Sequence, residues 1–527
     1  MSHATPPGTP EPDPRSADHA SDAPTDPVLL DLTPGEVVSA PAPRRRGRTV
    51  ATIGIAAGVV LVGGAGAVAY AMLSGAGTQP HDVLPAGSLA YARVDLDPSA
   101  GQKVEILRLL QKFPALADSV GDEEADLRTL FVEEAFGEDC DVDFAADVEP
   151  WLGQRVGVAL LDEPFEPVVA IQVDDEGEAR KGIAELADCS GAEAGGVAFL
   201  DGYAIVGAEQ ATVDAAVAAA TEASLGDAEK FTAAVGRLGD QGVASGWADY
   251  GAIMAHPEVA DLMAQGLEQP GQPQLDVPGL TDDLGAAAVV LRAESSAIEV
   301  RGVFEGAEAM LGESSLDPAQ LPGSTALAYG TAMSDEYATQ YADLLTDALV
   351  GAGGEQASAE VEATLGVSLD ELTTLLLSDP LLTVGERGLD GLDAFAGPES
   401  VESLDVALRS HGDQAELRDI DERLAGAIES AAGVRLTVQD VDGGVALATS
   451  ESALEVGSGL AASDAFRSVV PFDRVSSLVY LDVDKLAPVI ELGAEGDEDV
   501  LANLEPLRAL GSSSSGDEFA LRLSFDG

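Results

Sequence analysis

The chain has 527 residues, 93 acidic against 27 basic side chains, and a formal net charge of −66. At 46% hydrophobic and 23% charged it has ample material for two or three buried cores, so its acidity belongs on folded surface. Such a surface repels phosphate backbones and argues against nucleic-acid binding, and two cysteines exclude a disulfide scaffold, a zinc ribbon and an iron–sulfur protein.

Residues 1–43 hold ten prolines, seven acidic groups and one arginine. They lack the apolar surface that offsets ordering entropy, so residues 1–48 read as a disordered cytoplasmic tail ending in the basic cluster Arg44-Arg45-Arg46-Gly47-Arg48. Val28-Leu29-Leu30-Asp31-Leu32 is an apolar island in that tail, either a docking peptide or a chance run. Thr49 to Leu73 carries no charge over 25 residues. As a helix it would span ~37 Å, enough for a bilayer core, and the arginines before it place the N-terminus inside and the rest outside. The reading is a single-pass signal-anchor in the cell membrane with an extracytoplasmic C-terminal domain. Ala69-Tyr70-Ala71 leaves a cleaved signal peptide as the alternative, and Gly54 with Gly58 forms a GxxxG spacing.

The exported part reads as a duplication. Leu84-Pro85-Ala86-Gly87-Ser88-Leu89-Ala90-Tyr91 matches Leu321-Pro322-Gly323-Ser324-Thr325-Ala326-Leu327-Ala328-Tyr329. Asp201-Gly202-Tyr203 matches Asp442-Gly443-Gly444, and each segment leads into a small-residue helix, from Glu209 and from Glu451. Lys230-Phe231 matches Ala465-Phe466, Trp247-Ala248-Asp249 matches Tyr480-Leu481-Asp482, and Ala297–Arg301 matches Ala520–Ser524. The copies cover 78–306 and 321–527, joined by a linker at 307–320.

Within a copy, Ser88–Asp95 alternates as a strand, and Pro98 opens a helical stretch closed by Pro114. Arg155–Leu161 and Pro167–Val173 form a hairpin, and Glu176–Ala187 a helix. Gln269–Pro278 and Ser512–Ser515 read as loops. The predicted fold class is α+β: two tandem copies of an antiparallel sheet with helices on one face, preceded by one transmembrane helix.

Candidate chemistry is sparse. An oxidising compartment permits a disulfide between Cys140 and Cys189, closing a loop worth roughly 4 kcal/mol on the chain-entropy model. Asp139, Asp141, Asp143 and Asp147 take calcium-loop places, but Phe144 and Pro150 stand where glycine and glutamate are needed, so no metal ligand is assigned. Asp440-Val441-Asp442 reads as a turn. The five histidines have no paired spacing, and GxSxG, SxxK and phosphate-loop motifs are absent, so no catalytic residue and no cofactor is assigned. Tyr91, Trp247 and Tyr480 read as strand or core aromatics.

Together with Leu84–Tyr91, the segments Val94-Asp95-Leu96-Asp97-Pro98-Ser99-Ala100-Gly101-Gln102-Lys103, Lys112-Phe113-Pro114 and Trp151-Leu152-Gly153 resemble an actinobacterial family of membrane-anchored proteins carrying a domain of unknown function. The resemblance implies an anchor and an exported domain; it brings no activity and no site residues. The reading is a non-enzymatic binding or scaffolding module of the cell envelope, with an envelope protein or apolar ligand as partner. The alternatives are a carrier of a lipid or other apolar molecule, and a hydrolase using unlocated carboxylates.

Overall fold

The structure, a computed structural model, describes residues 77–96, 142–190, 195–239, 242–261, 285–312, 316–334, 362–391, 398–494 and 496–526, with a few isolated positions between them. In the first half the strands are β1 (Ala90–Asp95), β2 (Leu152–Leu160), β3 (Pro167–Val173), β4 (Gly196–Leu200), β5 (Tyr203–Gly207), β6 (Ala244–Asp249), β7 (Ala286–Glu294) and β8 (Ala297–Phe304). Its helices are α1 (Glu176–Ser190), α2 (Gln210–Glu222), α3 (Glu229–Leu238) and α4 (Tyr250–Ala255). The second half contributes β9 (Thr325–Thr331), β10 (Leu381–Gly385), β11 (Val406–His411), β12 (Thr437–Val441), β13 (Gly444–Ala448), β14 (Ser477–Asp482), β15 (Leu507–Ser515) and β16 (Glu518–Phe525). Its helices include α5 (Leu369–Leu377), α6 (Gln414–Ala432), α7 (Asp464–Val469), α8 (Val483–Gly493) and α9 (Glu498–Leu504).

The strands make one 16-stranded antiparallel sheet, ordered β12-β13-β11-β10-β9-β14-β15-β16-β8-β7-β6-β1-β2-β3-β5-β4. Outward from the β8–β16 pair the order is the same in both directions. This corrects the predicted fold class of two modules behind a membrane helix. The last strand of each half pairs with the other over seven residues, from Glu518↔Val303 to Ser524↔Ala297, which satisfies backbone groups that two separate sheets would leave on open edges. No helix among the described residues is long and apolar enough to cross a membrane. The transmembrane, single-pass and signal-anchor reading therefore finds no support in them, and its segment 49–73, with the tail 1–48, lies outside the described residues.

Helices cover both faces of the sheet, not one. Along β5, Tyr203 and Ile205 pack with Val213 and Ala216 of α2 and Phe231 of α3, while the alternate Ala204 packs with Ala179 and Ile183 of α1. The second half repeats this: Tyr480 and Leu478 meet Phe466 and Val469 of α7, and Val445 and Leu447 meet Leu417, Ile420 and Leu424 of α6. Strands buried on alternate sides need cover on each side.

The duplicated opening motif is retained with a one-residue difference in register. The hydroxyls of Ser88 and Thr325 donate to the carbonyls of Pro85 and Pro322, each at 2.8 Å. Counted from those anchors, Tyr91 corresponds to Ala328 and Ala92 to Tyr329. Tyr91 is buried against His81 and Phe231, whereas Tyr329 is 54% exposed. The letter match Ala90-Tyr91 to Ala328-Tyr329 needs a one-residue insertion that these anchors do not contain, and one residue turns a strand side chain to the other face.

Two further segments differ from their predicted form. Ser512–Ser515 is not a loop but the end of β15, held between β14 and β16. Its small residues suit the site: a Cβ on the neighbouring Gly511 would lie 2.7 Å from the Val469 carbonyl oxygen of α7. The helix expected after Glu451 is a single 3-10 turn, Ser452–Leu454. Gly457 and Gly459, at φ of +59° and +72°, break the backbone there.

Candidate binding groove

The connection from β14 to β15 builds a helical hairpin against the sheet. Tyr480 is buried in β14, and its hydroxyl donates to Asp482 Oδ2 at 3.0 Å. Asp482 caps α8 by accepting from the Lys485 amide at 3.2 Å, and the Lys485 ammonium returns to Asp482 Oδ2 at 3.1 Å. The same ammonium donates to the carbonyls of Gly323 and Thr325, pinning α8 to the opening turn of the second half. Pro488 inside α8 removes the amide that would bond the Asp484 carbonyl. Asp497 caps α9, its carboxylate accepting from the amides of Asp499 and Val500.

Between these helices and Leu507 of β15 lies a cleft of about 530 Å³. Val483, Ala487 and Ile490 of α8 and Leu501, Ala502 and Leu504 of α9 form its apolar wall, and Asp484, Glu491, Glu498 and Glu505 stand along it. Neither helix has a fully buried residue; Leu492 and Val500 are each 43% exposed. Partial burial raises the Asp484 pKa above the usual carboxylate value, and the nearby Asp526 and Asp482 push in the same direction against the opposing pull of Arg508.

The residues singled out from the sequence lie elsewhere. Cys189, near the end of α1, is disulfide-bonded, while Cys140, the other cysteine of the chain, lies outside the described residues. Asp139 and Asp141 are likewise outside them. Asp143 and Asp147 are taken up by backbone: Asp143 accepts from the Ala146 amide at 3.2 Å, and Asp147 from the Asp143 amide at 3.0 Å. Asp440 pairs with Arg418. Among the described residues no cluster of His, Cys, Asp and Glu is arranged to hold a metal ion. Tyr91, Trp247 and Tyr480 are all buried; Phe231 packs on Tyr91 and Trp247, and Phe466 on Tyr480. His256 stacks on Phe165 with ring centroids 4.2 Å apart.

Sequence reasoning missed a buried ionic cluster in the first half. Asp95 lies 3.5 Å from Arg93 and 3.7 Å from Arg155, all three at most 2% exposed. Arg93 also donates to Gln79 Oε1 at 2.9 Å, Arg155 to the Thr78 carbonyl at 3.2 Å, and the Tyr203 hydroxyl to the same carbonyl at 2.8 Å. The cluster straps residues 78–82 across the sheet. The available sign was alternation: Tyr91, Arg93 and Asp95 share one strand face. Nothing in the letters marked the α8–α9 groove, because its apolar residues have the spacing of an ordinary core helix.

No family model matches the chain, and no curated protein matches it. Among solved structures, one titled "Structure of crystal form I of TP0453" aligns over 46% of this chain and 82% of its own, at 12% identity and a TM-score of 0.21. A likeness at that level supports neither a shared fold nor a shared function.

Proposed function

We propose that this protein is a non-enzymatic binding or scaffolding module whose contact surface is the α8–α9 groove. One observation supports the reading: two apolar helices flank a 530 Å³ cleft without fully burying any of their residues. Contiguous, only partly buried apolar surface is costly in water and is characteristic of surfaces completed by a ligand or partner. A carrier of an apolar small molecule is the second reading: the cleft has the volume of a small-molecule site, though it is open to solvent rather than enclosed.

The test is photo-crosslinking in the cells that make the protein. A photoreactive residue replaces Ile490 or Leu501 in the full chain, and Glu222, exposed at the end of α2, serves as control. A discrete adduct from both groove positions and not from Glu222 supports the reading. A protein-sized adduct assigns the groove to a protein, and a lipid-sized one to the carrier. Identical labelling from all three positions, or none from the groove, overturns it.

A further inference from the structure

We infer that the groove receives a cationic amphipathic helix of another protein, an assignment that rests on the binding reading above. The argument is one of spacing and charge. On α8, Val483 and Ile490 are seven residues apart, and so are Asp484 and Glu491 beside them. Glu498 opens α9 and Glu505 directly follows its last turn, repeating the seven-residue spacing around Leu501. Each helix therefore carries an apolar strip flanked by carboxylates two turns apart, the pattern with which one helix of a bundle selects its neighbour.

A third helix laid in the cleft would place apolar a and d residues against Ile490, Leu501 and Leu507. Its e and g positions would face the four carboxylates. Lys or Arg there converts repulsion among the carboxylates into interhelical pairs, and each is long enough to cover the partly exposed apolar surface with its stem. A second copy of this chain is disfavoured as occupant, because its own groove would add four carboxylates to the four already present. Nucleic acid is disfavoured for the same reason of sign. A lipid would cover the apolar wall but would bring no row of cations to the four carboxylates, of which Asp484 already has Arg508 nearby.

The experiment is a fluorescence-anisotropy titration of the full chain with three labelled peptides. One is a three-heptad model helix with Leu at a and d and Lys at e and g. The second is a scramble of the same composition, and the third has Gln for every Lys. The cationic helix is expected to bind about tenfold more tightly than the scramble, and to lose about tenfold on going from low to high salt. The exposed-site double variant Glu491→Gln/Glu498→Gln should lose about tenfold for the cationic helix and leave the neutral one unchanged. Equal binding of helix and scramble, or no response to the Gln variants, overturns the assignment. Leu501→Asp separates the two levels. If it removes binding of the neutral helix while the Gln variants leave the cationic one untouched, the groove stands as a binding site and the cationic partner falls. If no peptide responds to Leu501→Asp, both readings fall.

Discussion

At the scale of single residues, position on a strand face outweighs letter identity. Tyr91 and Tyr329 stand in matching sequence words, yet one fills the core and the other lies in water. Tyr91→Ala should therefore cost about 3–5 kcal/mol, as for deletion of a large buried side chain, and Tyr329→Ala within about 0.5 kcal/mol of zero, both read by urea denaturation. A similar loss at both positions would mean that the register assigned from Ser88 and Thr325 is wrong. Asp421 is the second residue-scale case. It is 1% exposed on α6, its Oδ1 has no hydrogen-bond partner among the described residues, and burial raises its pKa from 3.8 to about 6 against the opposing pull of Arg418. The folded protein thus holds this proton more tightly than the unfolded chain, so the contribution is complete below about pH 4 and is lost as pH rises through 6. Asp421→Asn should gain stability relative to wild type by about 3 kcal/mol between those limits, measured as the difference of paired denaturation curves at each pH. A flat difference across that window would show that the carboxyl is not buried as described.

At the scale of elements, the two halves solve one problem with different chemistry. Each opens with a Pro-led 3-10 turn, Pro80–Asp82 laid against β2 and β3, and Pro318–Gln320 against the 3-10 turn Leu460–Ala462. In the first half buried arginines hold the strap. In the second, Gly330 stands at the place of Arg93, and a Cβ there would lie 2.7 Å from Leu381 and 3.2 Å from Leu316. Apolar packing by Leu316 replaces the ion cluster. Breaking a buried ion cluster leaves charge without compensation, so Asp95→Ala should cost about 3–5 kcal/mol and accelerate amide exchange at Gly77–Val83. Protection of that segment unchanged in Asp95→Ala would show that the arginines do not hold the strap. This contrast also shows how far the sequence could be read. The Leu-Pro openings each closed by a hydroxyl three residues after the proline, the Asp caps after Trp247 and Tyr480, and Phe231 with Phe466 were legible because each has a local physical requirement. The register of the following strand was not, since the Gly-Ser and Ala-Tyr letters match only if the turn is gapped, and the hydrogen-bonded anchors contain no gap. The α8–α9 groove was not legible either: VDKLAPVIELG has the pattern of a buried helix, and only its partial burial in the folded chain makes it a surface.

At the scale of the molecule, the decisive contact is one that no motif announces. Val300 and Leu521 face each other at the middle of the β8–β16 pair, near the axis that relates the halves. Around them Arg301 reaches Glu518 at 2.7 Å, Arg522 reaches Glu299 at 3.2 Å and Glu294 at 3.1 Å, and Arg237 of α3 pairs with Asp517. Strand letters alone could not choose between two sheets and one, because an alternating final strand can pair with either its own hairpin or a second neighbour. A seam of this kind makes each core a support for the other. The chain from residue 77 onward should unfold in a single calorimetric transition, with van't Hoff and calorimetric enthalpies equal, rather than as two modules. Leu521→Pro removes a ladder hydrogen bond at the seam and places a rigid ring in mid-strand while sparing both cores. It should split the transition in two, each with its own midpoint, because the halves then lose the pairing that couples them. Two independent transitions already present in the wild-type chain would show that β8 and β16 touch without coupling. A single transition retained in Leu521→Pro would place the coupling in the Arg–carboxylate pairs instead.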